Sequence, residues 1–436
     1  MTEPHTGLDP GREADDAGVR PGTHLHEAFL ERAGAADGEA GVGGHALGAF
    51  LTMRLVDQFA AGVTPYADAV RYQIDATRDF LHNLTPQMAE TAHLLDIVRA
   101  TDAAHVTQDR RVLWGPLLRF ALWLEDDLRL AEALDVLDAA LRLSDGPDAA
   151  DELAARLQRA RICRKATLYA EATAEYARAG ETARRLDDHH AERLSRIGRA
   201  NVMQKVGNLP GAEEALRAVI AEADAAEDAY AVACASQELA NAFRLMERPG
   251  PAVSFAFRAY EAYETPVERL GAMADVGLAF KMLGNYAAAA DAFGIVVTGQ
   301  VPETVRIDTI VELLDVTARI GDRMGFERWR RELMDRDAIL SPDQRVDFHV
   351  ALGTGYAAFG HPDRAANALR HAVATAAEHG LNARLYLAES YLARLDADEP
   401  GPRPIAARST PDDAGAAPTD TDRVADQVHA LRLATV

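Results

Sequence analysis

A repeated spacing of small residues in the middle of the chain restricts the fold more than any other feature. From about residue 113 onwards, an alanine is followed four residues later by an apolar residue and three residues after that by another small or apolar one. The leading alanines are Ala133, Ala172, Ala212, Ala252, Ala289 and Ala365. Their spacings are 39, 40, 40, 37 and 76 residues, and the last interval corresponds to two units. Such a period predicts a stack of similar helical units, because no single unit can bury its apolar face alone.

Each unit also has a first half, in which a small residue precedes a bulky one by three positions. The clearest pairs are Ala240 with Phe243, Gly277 with Phe280, and Gly353 with Tyr356. Turns containing glycine separate the two halves at 207–210, 284–286 and 360–363, where glycine supplies the positive φ that ends a helix. The small residues let the two helices of a hairpin approach closely, and the bulky ones fill the space between neighbouring hairpins.

Strong helix formers dominate residues 46–395, and no alternating strand pattern interrupts them, so we predict an all-α protein. Threonine–proline pairs at 64–65 and 85–86 are typical of helix starts. The predicted segments are an N-terminal helical segment at 46–105, with helices near 46–61, 65–84 and 86–104, and a repeat domain at 113–395, with a terminal packing helix at 380–395.

The two ends of the chain have a different composition. Residues 1–45 and 396–422 are rich in Gly, Asp, Glu and Pro, so we expect a disordered leader, with His24 and His26 in water, and a disordered linker. Residues 423–436 then form a short amphipathic tail helix with Val424, Val428 and Leu431 on one face.

The repeating unit resembles the tetratricopeptide repeat. The segments 275–297 and 351–376 match its pattern well, and the resemblance covers about 113–378, or six to seven units. The tryptophan common early in the family's first helix is missing, and the spacing is slightly longer than the family's. The resemblance implies a right-handed superhelical solenoid whose concave groove is lined by the first helices. It implies binding of a peptide or protein segment and no particular reaction.

Charge and motifs exclude several other classes of function. A net charge of −22 disfavours nucleic acid and anionic membranes as partners. The chain has no phosphate-binding loop, no nucleophile elbow and no zinc-protease motif, so we predict neither an enzyme nor a cofactor or metal. The acidic and histidine residues at 187–190 are interpreted as a polar loop, and Cys163 as an inert core thiol. Without a signal peptide or a membrane span, a cytoplasmic location is expected.

The repeat phase predicts which side chains of the first helices face the groove. These side chains are mostly basic or amide groups over four successive units, although the chain as a whole is acidic. The predicted site residues are Arg161, Arg164, Lys165, Asn201, Gln204, Lys205, Asn241, Arg244 and Lys281.

Asn201 and Asn241 occupy the same place in adjacent units. A carboxamide donates and accepts at once, which suits the backbone of an extended peptide. Arg164, Arg244 and Lys281 would then meet acidic side chains or a free C-terminus. The alternative is that these cations pair with the abundant Asp and Glu of the chain and form a solvated inner face.

Four hypotheses follow from this groove. The first is a non-enzymatic adaptor or scaffold that holds a partner's extended, acidic or C-terminal segment. The second is a peptide-sensing cytoplasmic regulator whose N-terminal helices bind a protein as output. The third is an accessory subunit of an enzyme complex. In the fourth, the tail helix occupies the chain's own groove, with its terminal carboxylate on Arg164 or Arg244. Homo-oligomerisation through an exposed end of the stack is compatible with each.

Overall fold

A computed structural model of the chain describes residues 25–35, 41–60, 67–84, 88–143, 149–397 and 418–434. These residues form α-helices and short 3-10 turns, with no strand among them, so the predicted all-α class is confirmed. The chain divides into two compact units, residues 1–202 and 203–436.

The first unit joins four N-terminal helices to the first repeat hairpins. Its helices are α1 (Glu27–Ala35), α2 (Val42–Asp57), α3 (Ala67–His82), α4 (Ala89–Thr107), α5 (Trp114–Asp126), α6 (Leu130–Arg142), α7 (Ala149–Lys165) and α8 (Tyr169–Arg185). The next helix, α9 (His189–Lys205), crosses into the second unit. The large side chains Phe29, Met53, Leu94 and Phe120 are fully buried in one core that α1–α4 share with the hairpins α5–α6 and α7–α8.

The expectation of a disordered leader over 1–45 is wrong for helix α1 and for the start of α2. Phe29 is fully buried, and the guanidinium of Arg32 lies 2.6 Å from Glu90 and 3.0 Å from Glu132. His26, expected in water, is also fully buried. These contacts are with residues distant in sequence, so the local composition of the leader gave no sign of them. Residues 1–24 lie outside the described part of the chain, as do the threonine–proline pairs.

The second unit continues the repeat hairpins. Its helices are α10 (Leu209–Ala225), α11 (Ala229–Leu245), α12 (Pro249–Ala262), α13 (Pro266–Leu283), α14 (Tyr286–Thr298), α15 (Glu303–Ile320), α16 (Arg323–Met334), α17 (Pro342–Ala358), α18 (Pro362–Glu378), α19 (Asn382–Asp396) and α20 (Pro418–Ala434). The pairs α11–α12, α13–α14, α15–α16 and α17–α18 form consecutive helical hairpins, and α19 packs on α18.

The small and bulky positions of the repeat have the predicted roles. All six leading alanines are fully buried, and so are Leu137, Leu216 and Phe280. In the hairpin α13–α14, a Cβ atom added to Gly277 would lie 2.5 Å from the ring of Phe293. Glycine at this position therefore lets the two helices approach closely, as the sequence predicted.

The predicted turns also have the expected backbone. Gly207, Gly284 and Gly360 have φ values of 85°, 82° and 74°. The side chains of Asn208 and Asn285 then cap the next helices by accepting hydrogen bonds from the backbone N–H groups of Gly211 and Ala288. Glycine ends one helix and asparagine begins the next, which fixes the short connection at these two positions.

The tail helix α20 docks, but not in a groove of first helices. It packs against α12 and α14, which are second helices of neighbouring hairpins. Val424 and Val428, predicted to share one face, are both fully buried there. The hypothesis that the tail occupies the chain's own groove is therefore wrong for residues 418–434. Its terminal residues 435–436 and most of the predicted linker, 398–417, lie outside the described residues.

Candidate functional site

The predicted site residues lie on the first helices of the hairpins. Two of those on α7, Arg161 and Lys165, contact one buried carboxylate. Glu125, at the end of α5, is 1% exposed and accepts hydrogen bonds from Arg161 at 2.7 Å, while Lys165 Nζ lies 2.8 Å away. Burial opposes the charge of Glu125, but the hydrogen bonds from these two cations hold the pKa of its carboxyl group below the usual value. Arg161 and Lys165 are therefore already neutralised inside the first unit.

Arg164 and Asn201 differ from this pair. The buried Nε atom of Arg164 has no hydrogen-bond partner within the part of the chain that the structure describes, and the same is true of Oδ1 of Asn201. Both side chains are half-buried. An orphaned buried polar atom costs free energy unless something satisfies it, so these two atoms mark places where a ligand would gain hydrogen bonds.

In the second unit, three predicted residues form a continuous polar network. Gln204 donates to the backbone carbonyl of Glu238 at 3.1 Å and accepts a hydrogen bond from Asn241 at 3.0 Å. Oδ1 of Asn241 in turn accepts from Arg244 at 2.9 Å. Nε of Arg244 is buried and has no hydrogen-bond partner among the described residues. The network fixes the orientation of the amides and leaves one cationic donor unsatisfied.

Two further polar residues continue this surface, and the prediction did not include them. Gln237 lies one helical turn before Asn241 and donates a hydrogen bond to Asp275 of α13 at 2.7 Å. Tyr263 donates to the side-chain carbonyl oxygen of Gln237, also at 2.7 Å. Burial raises the pKa of the Asp275 carboxyl group above its usual value. The helical phase that selected Asn241 would have found Gln237, because residues four apart share a helix face.

Lys281 is held by carboxylates of the next first helix. Its Nζ lies 2.5 Å from Glu312 and 2.7 Å from Asp315, both on α15. Burial opposes its charge, but the two carboxylates outweigh that effect and raise the pKa of the ammonium group. Lys281 is therefore neutralised in the same way as Arg161 and Lys165.

Beyond Lys281 the inner side of the second unit becomes acidic. Asp308, Glu312, Asp343 and Asp347 line a cavity of about 390 Å³ together with apolar residues of α13 and α15. Arg384 of α19 lies 2.9 Å from Asp347, and Gln344 donates to Asp308 at 2.8 Å. Burial, together with the neighbouring carboxylates, raises the pKa of Asp308. The basic character of the predicted groove therefore does not extend to α15 and α17.

The predicted cations thus separate into two classes. Arg161, Lys165 and Lys281 have carboxylate partners within 3 Å. Arg164 and Lys205 make no hydrogen bond or ion pair with any described residue, and Arg244 hydrogen-bonds only to an amide among them. Lys205 is exposed, whereas Arg164 and Arg244 are half-buried. An anionic ligand group would therefore find Arg164 in the first unit, or Lys205 and Arg244 in the second unit, without an ion-paired carboxylate.

A nucleophilic cysteine and a metal site are the other kinds of functional site to consider in this chain. Cys163 is buried, and burial raises the pKa of its thiol to about 11, which makes it a poor nucleophile. In the described ranges, no group of His, Cys, Asp and Glu side chains is arranged to hold a metal ion. None of the described helices combines the length and the apolar character needed to cross a membrane.

Comparison with known proteins adds three solved structures. No protein-family model matches the chain, and no curated protein matches it significantly. A tetratricopeptide repeat protein from Parabacteroides merdae is 18% identical, with a TM-score of 0.41, over 63% of this chain and 98% of that one. A Rap protein complexed with competence and sporulation factor is 11% identical, with a TM-score of 0.44, over 81% of this chain and 98% of that one. The apo form of RapI is 9% identical, with a TM-score of 0.47, over 77% of this chain and 98% of that one. At these values, function has to be argued from this chain's own side chains.

Proposed function

We propose that this chain is a non-enzymatic interaction module that binds an extended peptide segment of a partner protein on the inner side of its first helices. The observation that carries the proposal is the polar network of Gln204, Asn241 and Arg244, which ends in a buried donor without a partner among the described residues. Solvated surface side chains rarely need such fixed orientations, whereas a binding surface gains affinity from them.

The amides supply contacts that do not depend on the ligand's side chains. Gln204 and Gln237 flank Asn241 on this polar surface, and the hydrogen bonds of Asn241 to Gln204 and Arg244 keep its carboxamide in a single orientation. An amide held in this way presents its remaining hydrogen-bonding capacity to a peptide backbone without losing rotamer entropy on binding. This favours an extended main chain as the ligand.

The unpaired cations supply the preference for charge. Arg244 and Lys205 belong to the second unit and have no ion-paired carboxylate among the described residues, whereas Lys281 of the same unit has two. A ligand carboxylate would gain most at Arg244, because a guanidinium binds carboxylates through two parallel hydrogen bonds. An acidic side chain or a free C-terminus is therefore the favoured charged group.

The first test measures binding of fluorescein-labelled hexapeptides with randomised central residues and a glutamate at the end. We expect the pool with a free C-terminal carboxylate to bind the full chain more tightly than the same pool with a C-terminal amide. Arg244→Gln should weaken binding of the free-acid pool by at least about tenfold, the size expected for one charged hydrogen-bonding group. Asn241→Ala should weaken both pools, because it removes backbone contacts. Fluorescence anisotropy gives the affinities.

Arg370→Gln is the matched control. Arg370 is an exposed arginine on the second helix α18, so its loss changes the net charge equally but leaves the first helices intact. Unchanged affinity in Arg244→Gln and Asn241→Ala, with unchanged helix content by circular dichroism, would show that these first helices are only a solvated face.

A further inference from the structure

The docked face of helix α20 carries four contact residues at intervals of four. Asp420, Val424, Val428 and Arg432 form a single stripe along the helix, which packs on α12 and α14. Each residue of a helix advances by about 100°, so side chains four apart differ by about 40° in direction and the four form a stripe that winds gradually around the helix. These four contacts therefore fix the position of α20 along its own axis relative to α12 and α14, in addition to burying apolar side chains.

The first residue of the stripe is an acid in a basic cleft. Oδ2 of Asp420 accepts a hydrogen bond from the hydroxyl group of Ser254 at 3.1 Å. The cleft of about 420 Å³ around it is lined by Arg217, Arg248 and Arg258 of the repeats, which pair with Glu213 and Asp224, and by Arg423 of α20 itself, which lies 2.9 Å from Asp420. A carboxylate in the first turn of a helix is also favoured by the helix dipole. The first turn of the docked helix therefore places a hydrogen-bond acceptor on Ser254.

At the other end of the stripe, a long side chain packs on a glycine. The side chain of Arg432 lies directly on Gly294 in the middle of α14, where an added Cβ atom would be 2.7 Å from Nε of the arginine. Beside it, Nδ1 of His429 lies 2.7 Å from Oδ2 of Asp291, also on α14. Glycine is unfavourable inside a helix, and here its missing side chain makes room for the arginine. The surface therefore offers a hydrogen-bond donor to Asp420 at one end and space for the arginine at the other.

Most of the described side chains of the tail stay partly or largely exposed when α20 is docked. Only Val424 and Val428 of its described side chains are buried, while Arg423, His429 and Leu433 are 57%, 61% and 65% exposed. Residues 397–417 separate α20 from α19 in the sequence. Most helical stability in proteins comes from tertiary packing, so the 17-residue helix α20 depends on this docking for its helical structure.

We propose that the face of α12 and α14 is a helix-binding site for a partner protein, and that α20 is the tethered occupant that the partner displaces. The partner's helix would carry an acid, two aliphatic residues and an arginine, each four residues after the last. This site lies on second helices, so it is separate from the inner surface of the first helices and does not depend on its function.

The test uses the full chain and a labelled peptide of residues 418–436. In the wild type the tethered tail competes with the peptide, whereas in the Val424→Asp/Val428→Asp variant the tail is released. We expect the released variant to bind the peptide at least about tenfold more tightly than the wild type, since a tether of this length supplies a millimolar effective concentration of competitor. Adding Gly294→Gln to the released variant should remove most of that binding, because the new side chain occupies the place of Arg432.

Two controls separate this surface from general effects on folding. Ala374→Gln adds a glutamine side chain at an exposed position of another second helix, α18, and should leave peptide binding unchanged. A designed alanine-rich helix that carries only the acid, the two valines and the arginine should compete with the labelled peptide. The same helix with its second valine and arginine moved by one residue should not compete.

Three outcomes would overturn the proposal. Equal peptide affinity of the wild type and the released variant would mean that the tail does not occupy a binding site. Failure of the designed helix to compete, with the tail peptide still binding, would restrict the site to the chain's own tail. A wild-type chain with the mass of two copies by light scattering, converted to single copies by Val424→Asp/Val428→Asp, would assign the surface to the tail of a second copy.

Discussion

The imidazole of His26 lies between two carboxylates, with Nδ1 2.8 Å from Asp135 and Nε2 2.8 Å from Asp57. Burial opposes its charge, but the hydrogen bonds to Asp135 and Asp57 raise the pKa of His26 to about 8, above its usual value of 6.5. Arg142 lies 2.9 Å from Asp57 and completes the cluster. Because His26 immediately precedes α1, its positive charge links that helix to α2 and α6.

This cluster gives the first unit a pH dependence of known sign. A raised folded-state pKa stabilises the fold fully below the unfolded-state pKa of about 6.5, and the stabilisation is lost as the pH rises through about 8. We expect the free energy of unfolding to fall by about 2 kcal/mol between pH 6 and pH 9, since each pKa unit corresponds to about 1.4 kcal/mol. Urea unfolding in a Trp329→Phe background, in which Trp114 and Trp123 report on the first unit, measures it.

His26→Gln should lose that part of the pH dependence while Arg32 still anchors α1 through Glu90. If His26→Gln and the parent chain show the same slope of stability against pH, the histidine is neutral in the folded state. The sequence could not have indicated this role, because Asp57 and Asp135 are 31 and 109 residues away from His26. By contrast, the positions of Arg161 and Asn241 on first helices could be predicted from where each residue falls in the repeat. The carboxylates that neutralise some of the predicted cations could not.

At the scale of one element, helix α13 contains two glycines with different surroundings. Gly277 faces the ring of Phe293, whereas Gly271 has no atom within 4 Å of its added Cβ position. We expect Gly277→Ala to destabilise the second unit by about 1–3 kcal/mol through overpacking. Gly271→Ala should stabilise it by about 0.5–1 kcal/mol, because alanine is the better helix former. Urea unfolding followed by Trp329 fluorescence compares the two. Equal effects would mean that the hairpin does not need its small residue.

Elements with a strong local pattern were predictable, and elements held by distant contacts were not. The hairpin α17–α18 follows from the small, bulky and glycine positions of its own segment. The tail helix α20 was predicted with the correct buried face, since Val424 and Val428 reveal it locally. Its docking partner was not predictable, because Ser254 lies 166 residues from Asp420. Helix α1 was missed altogether, since one phenylalanine and a few ion pairs hold it.

For the whole molecule, net charge and local charge have opposite signs. The chain carries a charge of −22, while the proposed surface in the second unit offers Lys205 and Arg244, which have no ion-paired carboxylate among the described residues. An acidic peptide is therefore repelled at long range and attracted at short range. Raising the salt concentration from about 0.02 to 0.2 M shortens the screening length from about 20 Å to less than about 10 Å. We expect the association rate constant of the acidic hexapeptide pool to rise with this change, which stopped-flow fluorescence measures.

A neutral pool of the same length serves as the reference, because its association rate should not depend on salt. A fall in the association rate of the acidic pool with salt would mean that attraction prevails even at long range. That outcome would require a larger basic surface than these two residues provide.

The docking of α20 on α12 and α14 affects the order in which the helices of the second unit unfold locally. In a stack where each hairpin contacts its neighbours, stability is close to a sum of nearest-neighbour couplings, and fluctuations begin at the weakest junction. The tail adds a second set of contacts to one junction, that between hairpins α11–α12 and α13–α14. Amide hydrogens of α12 and α14 should then exchange together and last, while α15–α18 exchange earlier. With the tail displaced, the junction would lose this added protection. Binding of a partner could then be detected as a change in the pattern of amide exchange rates along the stack.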